Sequence, residues 1–299
     1  MNYEEILRKL VEKDERFIIL TAENRAAIRN LPDQIGDRFI DTGITEQTMI
    51  GVASGLALRG RIPVAHALAS FLTMRAFEFI RTDAGIGNLP VKLVGGFSGF
   101  LSEANGPTHQ AVEDVSIMRG IPNVNVFCPA DEEDMSICLE KILMSDNPFY
   151  IRYNNQKPVI NHSGDFEIGK AEIISEGRDV TILVYGILLR QAFEAKEILQ
   201  KKGISTGLIN LRTVKPADEE AIINAAKNSA LIVTLEDHFI TGGLYSIIAE
   251  IFLRNKIMCN VLPFALKDKW FKPALLNDVI EYEGFTGKNI AEEILNSVK

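Results

Sequence analysis

Two junctions carry the residues of this chain best suited to chemistry. Asp41-Thr42-Gly43-Ile44-Thr45-Glu46-Gln47 delivers an acid to the start of a helical pattern, and Gly106-Pro107-Thr108-His109-Gln110 delivers an imidazole to a second loop-to-helix junction. A first-turn acid such as Glu46 can serve merely to complement the helix dipole, with Thr42 or Thr45 as N-cap. The residues behind it argue for more. Gly51, Ala53, Ser54, Gly55 and Ala57 let that helix approach another backbone closely, so Glu46 stands at a packed contact. A buried acid there needs a partner, because an unpaired buried charge is costly. An imidazole at such a junction suits proton transfer, so His109 serves that or else ties down its loop. Together the two junctions outline an apolar slot that holds a flat ring beside one essential acid.

Other candidates are weaker. Phe71, in Ala69-Ser70-Phe71-Leu72-Thr73-Met74-Arg75, reads as core when taken alone. Arg152 ends the strand-like run Phe149-Tyr150-Ile151, at the carboxyl edge where α/β sheets bind ligands; it suits either an anionic substrate or a structural ion pair. Glu236-Asp237-His238 does not read as a metal site, since three consecutive residues cannot all face one ion, and no metal is assigned to this chain. His66 reads as a satisfied core or interface histidine. No G-x-G-x-x-G, P-loop, G-x-S-x-G or H-E-x-x-H occurs.

These residues need a scaffold, and the pattern supplies one. Short β-branched apolar runs at 16–20, 62–65, 91–94 and 125–127 alternate with helical patterns at 45–59, 73–83 and 110–119. Continuous apolar strands separated by helices predict a mainly parallel sheet covered on both faces. The turn-rich stretch around 154–177 marks a domain boundary, with 170–174 as a short edge strand. A second βα series follows, with strands at 180–185, 204–210, 231–235 and 258–262, helices between them, and a closing helix at 289–298. The expected class is therefore α/β, with two doubly wound domains spanning residues 1–160 and 161–299.

Composition narrows the partners. The 299 residues are 46% hydrophobic and carry a formal net charge of −8. Clustered basic charge is what nucleic acid requires, so a nucleic-acid binder is not expected. No apolar stretch is long enough to span a bilayer, and no secretory signal opens the chain. Three cysteines without metal or redox spacing point to reduced thiols in a cytoplasmic protein.

Several ordered motifs also resemble a known family. The run 37–47, the run Ser70-Phe71-Leu72-Thr73-Met74-Arg75-Ala76 and the run 105–114 are similar to the pyrimidine-binding domain of transketolases. Ile209-Asn210-Leu211-Arg212-Thr213-Val214-Lys215-Pro216 and residues 235–244 are similar to that family's C-terminal domain. The resemblance implies thiamine diphosphate as cofactor, bound between two domains. It implies that Glu46 hydrogen-bonds N1′ of the aminopyrimidine and promotes its imino tautomer, and that Phe71, Leu68, Met74 and Ile44 line the ring pocket. His109 would lie near the reacting carbons, and Arg152 would grip a sugar phosphate.

The family's other cofactor domain carries a Gly-Asp-Gly motif that holds Mg²⁺ and the diphosphate, and no Gly-Asp-Gly occurs here. The resemblance therefore implies the C-terminal subunit of a split transketolase. It would need a separate N-terminal subunit to hold Mg²⁺ and the diphosphate, and would assemble as α₂β₂ with self-dimerisation through this chain. The expected activity is transfer of a two-carbon ketol unit from a ketose to an aldehyde acceptor. Two positions depart from the pattern: Phe97 stands where many members have a phosphate-binding histidine, and Asn105 where they have an aspartate that reads a substrate hydroxyl. Both put ordinary pentose phosphates in doubt and leave a modified, branched or nucleotide-linked sugar acceptor open. The rivals are the beta subunit of a 2-oxo acid dehydrogenase, a 1-deoxyxylulose-phosphate synthase and a non-catalytic partner subunit.

Overall fold

The apolar runs become strands, and the strands form two sheets. In the computed structural model, which describes residues 1–298, the first sheet has seven strands. They are β1 (Phe17–Thr21), β2 (Phe39–Asp41), β3 (Ile62–Leu68), β4 (Lys92–Gly96), β5 (Asn125–Phe127), β6 (Phe149–Arg152) and β10 (Thr213–Lys215), in the order β10-β5-β6-β4-β3-β1-β2. The second sheet holds β7 (Glu172–Ser175), β8 (Val180–Val184), β9 (Thr206–Asn210), β11 (Leu231–Phe239) and β12 (Asn260–Leu266), in the order β12-β11-β8-β9-β7. The predicted edge strand near 170–174 is β7, which pairs antiparallel with β9. All other pairs are parallel save β10 with β5. The central strands β1, β4, β6, β8 and β9 are buried along their whole length, as a sheet covered on both faces requires.

β10 lies in the second half of the chain yet pairs with the first sheet. A boundary near residue 160 thus separates the chain in sequence, whereas the sheets interlock across it. The apolar core crosses the same line: Leu93, Val126 and Tyr150 share one buried cluster with Leu183, Ile209 and Leu211. No helix among the described residues is long and apolar enough to cross a membrane.

Two helical expectations need correction. Residues 71–85 form a wound segment with two π-helical stretches, Phe71–Arg75 and Ile80–Gly85, around Phe77–Phe79. Such stretches recur at functional sites, where they re-aim side chains. The helix expected over 110–119 begins only at Asp114. Upstream, the backbone is committed elsewhere: the carbonyl of Ala111 accepts from Gly99 N–H, and Val112 N–H donates to the Glu113 carboxylate.

Candidate functional site

β1, β2, β3 and β4 end on one edge, and the loops that leave them carry most of the candidates. Beyond β2, residues 42–45 turn the chain into the Glu46–Leu58 helix. Its N-cap position is Thr45, but the Thr45 hydroxyl donates to Thr42 O and makes no cap bond. The apolar and small residues of this helix leave no broad polar face. Met49, Ile50, Ala53 and Ala57 are buried on one side, while Thr48, Gly51, Gly55 and Leu58 are exposed on the other.

Glu46 is 2% exposed. Its Oε2 accepts from Nη1 of Arg75 at 2.8 Å. The Arg75 guanidinium in turn lies 4.2 Å from the centroid of the Phe71 ring. His109 completes the constellation: its ring meets Phe71 edge-on with centroids 5.0 Å apart. The Thr108 hydroxyl pairs with His109 Nδ1 at 2.9 Å, and Nε2 makes no hydrogen bond among the described residues. Sequence reasoning thus named an acid, a ring and an imidazole that the fold brings together. Arg75 was missed as a member of the site. Its signal was present, since a buried acid needs a counter-ion and Arg75 stands four residues from Phe71.

The other pocket candidates are more open. Leu68, at the end of β3, is half-buried; Met74 is 38% exposed and Ile44 is 64% exposed. Ile44 therefore lines no closed pocket within the single chain. Asn105 is exposed at the end of the Gly99–Asn105 3-10 segment.

A separate cleft of about 160 Å³, lined by none of Glu46, Phe71, Arg75 and His109, opens at the carboxyl ends of β3 and β4. Asn24, Phe97, Glu103, Tyr153, Asn155 and Gln156 are among its lining groups, and no lysine or arginine is. Phe97 and Glu103 hold positive φ values of 60° and 45°. Strained non-glycine backbone of this kind collects at ligand sites. His66 also faces the cleft, but it is 2% exposed and held by the Tyr3 hydroxyl at 2.8 Å and Leu20 O at 3.1 Å. Burial pushes it down to about 4, so it is a neutral structural histidine, as its apolar strand suggested.

Arg152 is the expectation that the geometry turns. It sits buried between the domains, with Nε and Nη2 on the two Asp114 oxygens at 2.9 Å each and Nη1 on Asp237 at 2.6 Å. Burial disfavours the Asp114 carboxylate, yet the bidentate guanidinium holds it below the usual range. Asp237 has a single contact with that guanidinium, and burial raises it. Each guanidinium nitrogen thus bonds a buried carboxylate, which favours the ion-pair alternative over a grip on a sugar phosphate, although one N–H remains on each of Nη1 and Nη2. The neighbours of Asp237 diverge as anticipated. Glu236 accepts from Leu244 and Tyr245 N–H at the start of the Leu244–Arg254 helix, and His238 Nε2 accepts from Ser116 N–H.

A second buried cluster pins the segment between the domains. His162 bridges Asp131 and Glu172 at 2.8 Å each, while Arg212 binds Asp134 at 2.6 Å and Glu172 at 3.1 Å. Asp134, His162 and Glu172 offer ligand atoms within 4.8 Å of one another. The Arg212 guanidinium already neutralises two of these carboxylates, so the arrangement is an ion-pair network rather than a cage for a cation.

Does the slot suit the cofactor implied by the resemblance? A nearly buried carboxylate beside a partly open aromatic face fits the ring end of thiamine diphosphate. For the diphosphate end, the sequence offers no Gly-Asp-Gly motif.

The comparisons with known proteins bear on the whole length. Residues 1–158 match the family model described as transketolase, pyrimidine binding domain, and residues 169–290 match transketolase, C-terminal domain. The chain is 37% identical over 294 residues to a 6-deoxy-6-sulfo-D-fructose transketolase subunit of Clostridium sp. (strain MSTE9), covering 96% of this chain and 90% of that protein. It is 34% identical to the 1-deoxy-D-xylulose-5-phosphate synthase of Dictyoglomus thermophilum, covering 98% of this chain but 49% of that protein. Among solved structures, a split gene transketolase described as an inactive beta4 tetramer superposes with a TM-score of 0.88 at 30% identity, covering 99% of this chain and 96% of that one.

Proposed function

Because this chain belongs to the transketolase family across both its pyrimidine-binding and C-terminal domains, we propose that it is the C-terminal subunit of a split, thiamine-diphosphate-dependent ketol transferase. The observation that carries this reading is the convergence of the buried Glu46 with the half-buried Phe71 and His109 at one sheet edge. When bound, thiamine diphosphate supplies an electron sink that lets a carbon–carbon bond beside a carbonyl break and re-form. Glu46 holds a hydrogen bond to N1′ of its aminopyrimidine. Phe71 packs on that ring, with Leu68 and Met74 beside it. His109, whose Nε2 is free of protein partners among the described residues, moves a proton at the substrate oxygens.

A separate N-terminal subunit carries Mg²⁺ and the diphosphate. Near-complete coverage of two relatives described as a subunit and as a split gene product supports the split, and a beta4 tetramer described as inactive supports dependence on a second chain. The exposed face of the Glu46–Leu58 helix, with Gly51 and Gly55 open, forms the self-dimer contact of an α₂β₂ assembly. Three free cysteines suit a cytoplasmic setting.

The substrate is a specialised sugar. A cleft at the carboxyl ends of β3 and β4 offers amides, a phenol and a carboxylate that suit hydroxyl groups, and Phe97 in its lining stands where the resemblance places a phosphate-binding histidine. A relative named for a sulfo-sugar supports a modified ketose as donor. The test is reconstitution with the adjacent gene's product, thiamine diphosphate and Mg²⁺, followed by ketol-transfer assays over ordinary and modified sugars. Transfer only by the mixture, and preferentially with modified sugars, is expected. Transfer by this chain alone would overturn the split, and acyl transfer to a lipoyl group from a 2-oxo acid would favour the dehydrogenase rival.

A further inference from the structure

The acid and the ring of the slot are engaged by one and the same side chain. Arg75 donates to Glu46 Oε2 at 2.8 Å and lays its guanidinium 4.2 Å from the Phe71 centroid. Resting on the cofactor reading above, we propose that Arg75 is an internal stand-in for the aminopyrimidine, holding Glu46 and Phe71 in the free subunit and yielding both when the cofactor docks.

Three features support this. The chemistry matches: a guanidinium is flat, rich in nitrogen donors and cationic, as an aminopyrimidine protonated at N1′ is, so both satisfy a carboxylate while stacking on a phenyl face. The burial is asymmetric. Glu46 is 2% exposed and Arg75 39%, so the acid is fixed in the fold whereas the arginine can swing into solvent without opening the core. The local backbone places both partners on one side, because the Phe71–Arg75 π-helical stretch closes with Ala76 N–H donating to Phe71 O. Without Arg75 the free subunit would hold a buried carboxylate with no partner, which is costly.

The consequence is a penalty on premature binding. A site whose competent form is only a fraction of the population binds with its affinity reduced by that fraction. The free subunit therefore binds the ring weakly until contacts from the second chain compensate for release of Arg75.

Thiamine, which carries the aminopyrimidine without the diphosphate, tests this on the full-length free chain. Its dissociation constant is measured by calorimetry for the wild type, Arg75→Met and the double variant Arg75→Met/Glu46→Ala, with circular dichroism melts as a folding check. Arg75→Met is expected to bind about tenfold more tightly than the wild type, and the double variant to lose that gain. Equal or weaker binding by natively folded Arg75→Met, or no binding by either protein, would overturn the proposal and make Arg75 part of the cofactor's own pocket. Because this readout needs neither turnover nor a sugar, it can succeed where the ketol-transfer assay fails, and the reverse.

Discussion

At the scale of single residues, the structure separates groups free for chemistry from groups committed to stability. Arg152 illustrates the second kind. Removing one member of a buried ion pair leaves its partners charged and unsatisfied, which costs about 3–5 kcal/mol. Arg152→Met should therefore lower unfolding free energy by about that amount in urea titrations, because Asp114 and Asp237 would both lose their counter-ion. A variant of wild-type stability with a raised KM for an anionic sugar would return Arg152 to the substrate. Gly99 is a second such residue. Its φ is +55° and a Cβ there would fall 1.8 Å from an Asp237 oxygen, so Gly99→Ala should destabilise by more than about 1 kcal/mol in the same titration.

At the scale of elements, the segment between the domains behaves as a charged clasp. Burial alone would push the His162 imidazolium down, but hydrogen bonds to Asp131 and Glu172 outweigh it and raise the group to about 10. The folded state thus binds its proton more tightly than the unfolded chain, where histidine titrates near about 6.5. Stability from this proton is full below about 6.5 and is lost as pH rises through about 10. Melting curves from pH 6 to 10.5 should show the wild type losing more stability than His162→Gln; parallel losses would remove His162 from the clasp.

The elements also show where sequence pattern suffices. Strands β1, β3 to β6, β8, β9 and β11 answer to apolar runs, since burial on both faces demands them, and the part-exposed edge strand β12 answers to one as well. Glu46 and Phe71 could be named because each follows closely on a strand end, and His109 because it stands in the long loop that leaves β4. Arg152 could not be settled, because Asp114 and Asp237 come from separate parts of the chain and only the packed domains bring them together. β10 is three residues long and pairs with the other half of the chain, so no local period reports it. The π-helical turns at 71–85 were hidden for a related reason: their apolar spacing suits an ordinary helix too.

At the scale of the whole molecule, the account rests on two faces. The helix that begins with Glu46 exposes Gly51 and Gly55, and a Cβ at either position meets nothing within 4 Å inside the chain. Gly55→Arg should leave the fold of the free chain unchanged while abolishing self-association in sedimentation velocity; an unchanged oligomer would move the dimer contact elsewhere. The slot at the head of the same helix would tie assembly to chemistry if, as proposed, a second chain supplies the diphosphate site for the ring that Glu46 meets.

The most direct test of that claim is Glu46→Ala in the reconstituted complex, with kcat for ketol transfer and sedimentation measured on the same preparation. The account predicts a loss of kcat of about 10²–10⁴-fold with the assembly intact. Near-normal turnover from an intact complex would contradict it.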